Sequence, residues 1–258
     1  MIRLESVSCH FSVPGSPPVA ALQALDLTLT AGEFVTVIGT NGSGKSTLLN
    51  VLAGRVTPAA GAVWLDDRYV TRTPEHVRAA WIGRVFQNPF QGSCPNMTVE
   101  ENLRLADRRG RRQALPGRGG GGRRARFREE LASLELGLED RLHALVGSLS
   151  GGQRQALTLL MATLRPPRLL LLDEHTAALD PRAATRVLEL TRERVAAHQL
   201  TTLMVTHSMT QALSVGSRTI MLHHGTVIAD LLGVERATAR PEELVDRFTR
   251  LQLADPAP

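Results

Sequence analysis

Eight consecutive residues, Gly39-Thr40-Asn41-Gly42-Ser43-Gly44-Lys45-Ser46, follow the spacing G-x-x-x-x-G-K-[ST], and Thr47 extends the run. Glycine-turn amides and a helix N-terminus at this spacing converge on phosphate oxygens. The lysine reaches the β- and γ-phosphates of a nucleoside triphosphate, and the serine hydroxyl ligates Mg²⁺. Lys45 is the only lysine among 30 basic residues; the other 29 are arginine. A compact ammonium fits a tight glycine turn where a broad guanidinium does not. The residue should face the ligand, so its replacement is expected to leave folding intact.

Two further runs carry chemistry. Leu169-Leu170-Leu171-Leu172-Asp173-Glu174 is an apolar strand that delivers two carboxylates to its C-terminal end, where open α/β sheets bind ligands. Asp173 is expected to hold Mg²⁺ and Glu174 to polarise an attacking water. Leu149-Ser150-Gly151-Gly152-Gln153 reads as a second helix N-terminus, with exposed amides and one hydroxyl, hence a second anion site. Neither phosphate site is complete alone. A C2 dimer resolves this, with each ATP held between one chain's glycine loop and its partner's Ser150-Gly151-Gly152.

The elements that must position these residues are legible in outline. Residues 2–9 and 25–30 alternate as half-buried strands, around the turn-forming Val13-Pro14-Gly15-Ser16-Pro17-Pro18. Phe34–Ile38 predicts a strand entering Gly39, and Lys45–Ala53 a helix stopped by Gly54. Strands are expected near 62–66, 82–86, 169–172, 201–205, 218–222 and 226–230. A short helix opens at Thr73-Pro74, and Thr98 with Glu101 forms a capping box. Further helices are expected at 127–136, 152–164, 241–251 and, behind Asp180-Pro181, to about 198. Residues 110–124 read as a loop because of Pro116 and repeated glycine. The order implies a parallel α/β core, an N-terminal antiparallel β layer and a helical insertion at about 92–160.

Composition narrows the classes. No run of 18 apolar residues is present, so no membrane span is expected. The first residues lack a signal-peptide pattern, and Cys9 and Cys94 are too few for a disulfide framework, which points to the cytoplasm. The formal charge of +5 is local, since residues 107–130 hold nine Arg against Asp107, Glu129 and Glu130. Gly117–Arg128 resembles an arginine-glycine RNA-binding tract but lacks interleaved aromatics, so a solvated loop is expected. His175 reads as a loop histidine. His223 and His224, as adjacent strand residues, should face opposite ways.

These motifs together resemble the ATP-binding subunit of an ABC transporter, over almost the whole chain. Residues 39–47 are similar to the Walker A motif, 169–174 to Walker B and 149–153 to the signature. Gln87, in Val85-Phe86-Gln87-Asn88-Pro89, matches the Q-loop, Ala178-Leu179-Asp180 the D-loop, and His207 the switch histidine. The resemblance implies one P-loop NTPase domain over 1–258, with C-terminal strands and helix at about 218–251. It implies that Gln87 senses Mg²⁺ and water and contacts the permease, that His207 bonds the γ-phosphate, and that Asp180 shapes the dimer seam. Phe11 stands for the family's adenine-stacking tyrosine, since stacking needs only a π-face.

The implied cofactors are ATP and Mg²⁺. The implied partners are a second ATPase subunit, an integral membrane permease and, indirectly, an extracytoplasmic solute-binding protein. That places the chain on the cytoplasmic face of the membrane, where the arginine-rich segment would add weak attraction to anionic lipid. Gly39-Thr40-Asn41, Gly92-Ser93-Cys94-Pro95, Met161–Leu164 and Asp173–Ala178 resemble a subgroup of bacterial uptake ATPases associated with amino-acid-like solutes. The alternative is an ATPase with the same head that works on nucleic acid. Such heads carry long coiled-coil or zinc insertions, whereas only about a hundred residues separate Lys45 from Ser150. No nucleic acid partner is therefore expected. A non-hydrolysing regulatory subunit would lack Glu174 or His207, and both are present.

Overall fold

The computed structural model describes residues 1–12, 15, 18–110 and 120–254. They fall into two compact units, Met1–Arg78 with Thr201–Pro258, and Ala79–Leu200. The first unit opens with β1 (Ile2–Phe11), β2 (Val19–Leu29), β3 (Phe34–Gly39), α1 (Lys45–Ala53), β4 (Ala60–Leu65), β5 (Arg68–Tyr69) and the short α2 (Glu75–Arg78). β1 pairs antiparallel with β2 and β4, and β5 extends β4. This is the expected antiparallel layer.

β2 begins six residues earlier than its alternation suggests. The β1–β2 register shifts three times, and Ser6 and Ala24 adopt left-handed φ values of 46° and 43°. Each bulge adds an unpaired residue and breaks the period of two.

The second unit holds β6 (Ile82–Val85), α3 (Val99–Asp107), α4 (Gly120–Ala132), α5 (Gly151–Thr163), β7 (Leu169–Asp173) and α6 (Pro181–His198). β6 and β7 pair in parallel, from Ile82 opposite Leu169 to Val85 opposite Leu172. The Thr98–Glu101 capping box starts α3, with both reciprocal bonds made.

The loop expected over 110–124 is corrected at its C-terminal end, because α4 already begins at Gly120. Helical glycine costs about 1 kcal/mol per residue relative to alanine. Burial of Phe127 and Leu131 further along the helix opposes that cost. Arg124 pairs with the buried carboxylate of Glu100 at 2.9 Å, and Arg126 with Asp107 at 3.2 Å. Both arginines remain exposed to solvent, but each is tied to a buried carboxylate of α3. The remainder of that expected loop, residues 111–119, lies outside the described residues, as does most of the turn expected over 13–18.

The chain returns to the first unit through β8 (Thr202–Val205), α7 (Met209–Ser214), β9 (Arg218–His223), β10 (Thr226–Leu232), α8 (Gly233–Thr238) and α9 (Pro241–Ala254). β3 lies between β8 and β9, parallel to both, and is buried at every position. Full burial is what two covered faces require of a parallel strand. Ile38, Ala212, Met221, Leu231, Leu244 and Phe248 form a core cluster in this unit. The architecture is the expected P-loop α/β fold with an antiparallel layer and inserted helices. Among the described residues no helix is long and apolar enough to cross a membrane.

Arg78 is fully buried and fastens the rear of α1. Its guanidinium donates to the carbonyls of Val51 and Leu52 at 2.8 and 2.9 Å, of Thr73 and Thr71 at 2.8 and 3.1 Å, and of Val70. A cation at the C-terminal end of a helix also opposes the helix dipole. Burial pushes the Arg78 pKa down to about 10.

Candidate functional site

In the first unit, β3 runs into the glycine loop and α1. A Cβ on Gly39 would meet Ser43 Oγ at 2.4 Å and the Leu222 carbonyl at 2.5 Å; on Gly44, at φ 101°, it would meet the Ala21 carbonyl at 2.3 Å. The loop therefore admits no side chain at either position. It is buttressed by Gly225, whose N–H donates to the Ser43 carbonyl at 3.0 Å. Gly44 is the N-cap of α1 and supplies no side-chain cap. No side-chain cap of the chain's own competes with a ligand for this helix start.

Lys45 is only 6% exposed. Its ammonium donates to the carbonyls of Gly39 and Thr40 at 2.8 and 2.7 Å. The expectation that its replacement leaves folding untouched is therefore revised, since the lysine also ties the loop together. Ser46, Asn41 and Gly42 are exposed, and Thr40 and Thr47 half-buried.

His207 emerges from the same edge of the sheet. β8 is in register with β3, Val205 opposite Val37, and the Thr206 N–H donates to the Val37 carbonyl at 3.2 Å. Ser208 caps α7, and His207 is exposed between these two anchors. Phe11 ends β1 opposite Val19 and is 43% exposed.

In the second unit, Asp173 ends β7 and forms an ion pair with Arg84 at 2.9 Å. Glu174 follows at φ 45°, a left-handed conformation that is costly for a side-chain-bearing residue. The Ala177 N–H closes this turn on the Glu174 carbonyl at 2.9 Å. Gln87 is exposed just beyond β6, and the preceding Phe86 carbonyl accepts from Gln155 Nε2 at 2.9 Å.

The signature run is a capping box. Ser150 Oγ accepts from the Gln153 N–H at 3.3 Å, and Gln153 Oε1 accepts from the Ser150 N–H at 3.2 Å. Within the chain, the Ser150 hydroxyl and the Gln153 amide are already joined to each other. The Gln153 amide is used internally, and Gly152 is a packing glycine: a Cβ there would meet the Ala183 Cβ at 2.8 Å. Gly151 remains exposed at the helix start. The pattern S-x-x-Q was present in the sequence to be read this way. Asp180 caps α6 by accepting from the Ala183 N–H at 3.0 Å. A cavity of about 710 Å³ brings Ser150, Gly152, Gln153 and Asp180 together with Arg182 and Arg186.

His175 lies in the loop after β7 but is buried, 3.0 Å from Thr191 Oγ1. That hydroxyl already donates its proton to the Val187 carbonyl. His175 Nε2 must therefore be the donor, which fixes the neutral Nε2–H tautomer. Burial pushes the ring's pKa from 6.5 down to about 4. The unfolded chain thus takes up a proton that the folded chain refuses between those values. Stability is present above pH 6.5 and falls as the pH drops toward 4, by about 3 kcal/mol in total from this group. Chemical denaturation at pH 7 and pH 4.5 should show this slope, and His175→Gln should flatten it; an equal slope in both proteins would count against the assignment.

His223 and His224 do not face opposite ways. β9 ends at His223, His224 turns at φ 44°, and the two rings meet edge to face at 4.2 Å.

The residues present fit the groups the motifs imply. Gly39 and Gly44 let the loop pack tightly against Ser43, Leu222 and Ala21 at the start of α1, the form of a phosphate-binding turn. Ser46 in the first unit, and Gln87 and Asp173 in the second, each carry an oxygen of the kind that a small hard cation such as Mg²⁺ prefers. The ABC transporter family model matches residues 22–177, more than half of the chain. A tyrosine transport ATP-binding protein of Clostridioides difficile is 41% identical over 255 residues, covering 96% of this chain and 98% of its own. The thiamine import ATP-binding protein of Haemophilus influenzae is 34% identical, over 78% and 88% of the two chains. A dimeric ATP-binding cassette solved in a post-hydrolysis state with ADP and Pi superposes with a TM-score of 0.77 at 30% identity, covering 90% of this chain and 98% of that one. The glycine cradle, the carboxylate pair, the capped signature helix and these likenesses agree: the chain belongs to the ABC transporter family, as an ATP-binding subunit that hydrolyses Mg-ATP.

Proposed function

We propose that this chain powers the uptake of an aromatic amino acid or a similarly small solute through a separate membrane permease, working as a homodimer on the cytoplasmic face. The observation that carries this reading is the 41% identity, along nearly the full length of both chains, to a tyrosine transport ATP-binding protein. A permease and an extracytoplasmic solute-binding protein are the partners it requires. Both compact units serve one ATPase domain, 1–258, with the helical segment at about 92–160.

Lys45 and the amides of Gly39–Thr47 bind the phosphates, and Phe11 stacks on the adenine. Ser46, Gln87 and Asp173 would hold Mg²⁺, which would offset the negative charge of the phosphates. Glu174 accepts a proton from water as its oxygen attacks the γ-phosphorus in line and ADP departs. His207 donates to the γ-phosphate. Ser150 and Gly151 of a second copy close on the same phosphate, and Asp180, which lines the cavity with Ser150, shapes the seam. The test is reconstitution with the cognate permease and binding protein in proteoliposomes. Tyrosine or another aromatic amino acid should stimulate ATP hydrolysis and accumulate inside. Stimulation by an unrelated solute alone would overturn the substrate class.

A further inference from the structure

We propose that Arg84 is a positioning residue for the Mg²⁺-binding carboxylate of Asp173, fixing its orientation from the strand that leads to Gln87. This rests on the reading of Asp173 as a Mg²⁺ ligand. An arginine inside a short buried strand is out of place by composition, since Ile82, Gly83 and Val85 around it are buried. The register accounts for it. Arg84 lies opposite Leu171, and Asp173 is two residues further along β7. Side chains two apart share a face of the sheet, so Arg84 and Asp173 are diagonal neighbours.

Their ion pair is 2.9 Å long, with the two side chains only 11% and 19% exposed. A largely buried, charge-assisted bond is stronger and more directional than an exposed one. With one carboxylate oxygen held by the guanidinium, rotation about the side chain is restricted and the second oxygen is presented in one direction. The same guanidinium lies 4.7 Å from the centre of the Phe86 ring, on the residue before Gln87. Asp173 and the approach to Gln87 are thus held by one cation.

Partners that orient metal ligands typically contribute about 10–100-fold to metal affinity. The experiment is a Mg²⁺ titration of TNP-ATP fluorescence on the full chain, with thermal melts alongside. Arg84→Met should raise the Mg²⁺ concentration needed for half-maximal response roughly tenfold, with Mg²⁺-free TNP-ATP binding unchanged. Arg84→Lys should recover part of the loss, and it serves as the test if the methionine variant does not fold. A native Mg²⁺ requirement in the folded variant overturns the proposal. So does a lower one, because it would mean that the guanidinium merely competes with the metal. Asp173→Asn separates the two ideas: if it leaves the Mg²⁺ requirement unchanged, the ligand reading itself fails. If Asp173→Asn shifts the requirement and Arg84→Met does not, only the positioning role fails.

Discussion

Glu174→Gln should lower steady-state ATP turnover by about 10²–10⁴-fold, the usual contribution of a general base, while ATP binding survives and the ATP-bound dimer accumulates. The substitution keeps size and shape. It also keeps the backbone demand, since glutamine at φ 45° is no more strained than glutamate. The turn is closed by the main chain of residue 174, through the Ala177 N–H, a bond that the substitution keeps. His175, directly behind, is buried against Thr191 out of reach of solvent and so does not replace the lost base. What changes is the ability to accept a proton from water. Light scattering at saturating Mg-ATP should therefore report a dimer for the variant, and a monomer after ATP is removed. A variant that stays monomeric with ATP bound would mean that the signature helix of a second copy does not complete the site.

Local chemistry made much of this site legible in the sequence, and long-range pairing hid the rest. α1 runs from Lys45 to Ala53, as its glycine punctuation implies, and the Thr98 and Asp180 caps stand where their short-range patterns put them. Each cap depends on residues three positions apart, and α1 on glycines at its two ends. Arg84 and Asp173 are 89 positions apart, and only the β6–β7 register makes them neighbours. The early start of β2 was concealed because bulges at Ser6 and Ala24 erase the alternation that marks a strand.

The arginines show the same division. Their number is plain from composition, but not their use as carbonyl clamps. Arg78 holds the end of α1 and Arg236 holds carbonyls of Ala212 and Leu213 near the end of α7. A planar fork with five donors can satisfy several carbonyls at once. The signature run is local by contrast: the S-x-x-Q spacing alone implies the bond between Ser150 and Gln153.

Lys45→Arg should be as inactive as Lys45→Ala, although the charge is kept. The lysine ammonium occupies a loop so tight that Gly39 and Gly44 cannot carry a Cβ. There it donates to two carbonyls, at 2.8 and 2.7 Å. A guanidinium brings a wider, planar head to the same place, and must push aside either the loop or the phosphate oxygens. A displacement of about 1 Å at a reacting centre costs on the order of a hundredfold in rate, so both variants should fall at least that far. Stability separates them. Alanine leaves the Gly39 and Thr40 carbonyls without their lysine donor, a loss of about 1–3 kcal/mol, whereas arginine can keep one of those bonds and should melt closer to the native chain. Turnover and thermal melting without nucleotide, measured on both variants, give the comparison. Near-native turnover in Lys45→Arg would show that charge alone suffices at this position, and that the chain's single lysine is not there for its shape.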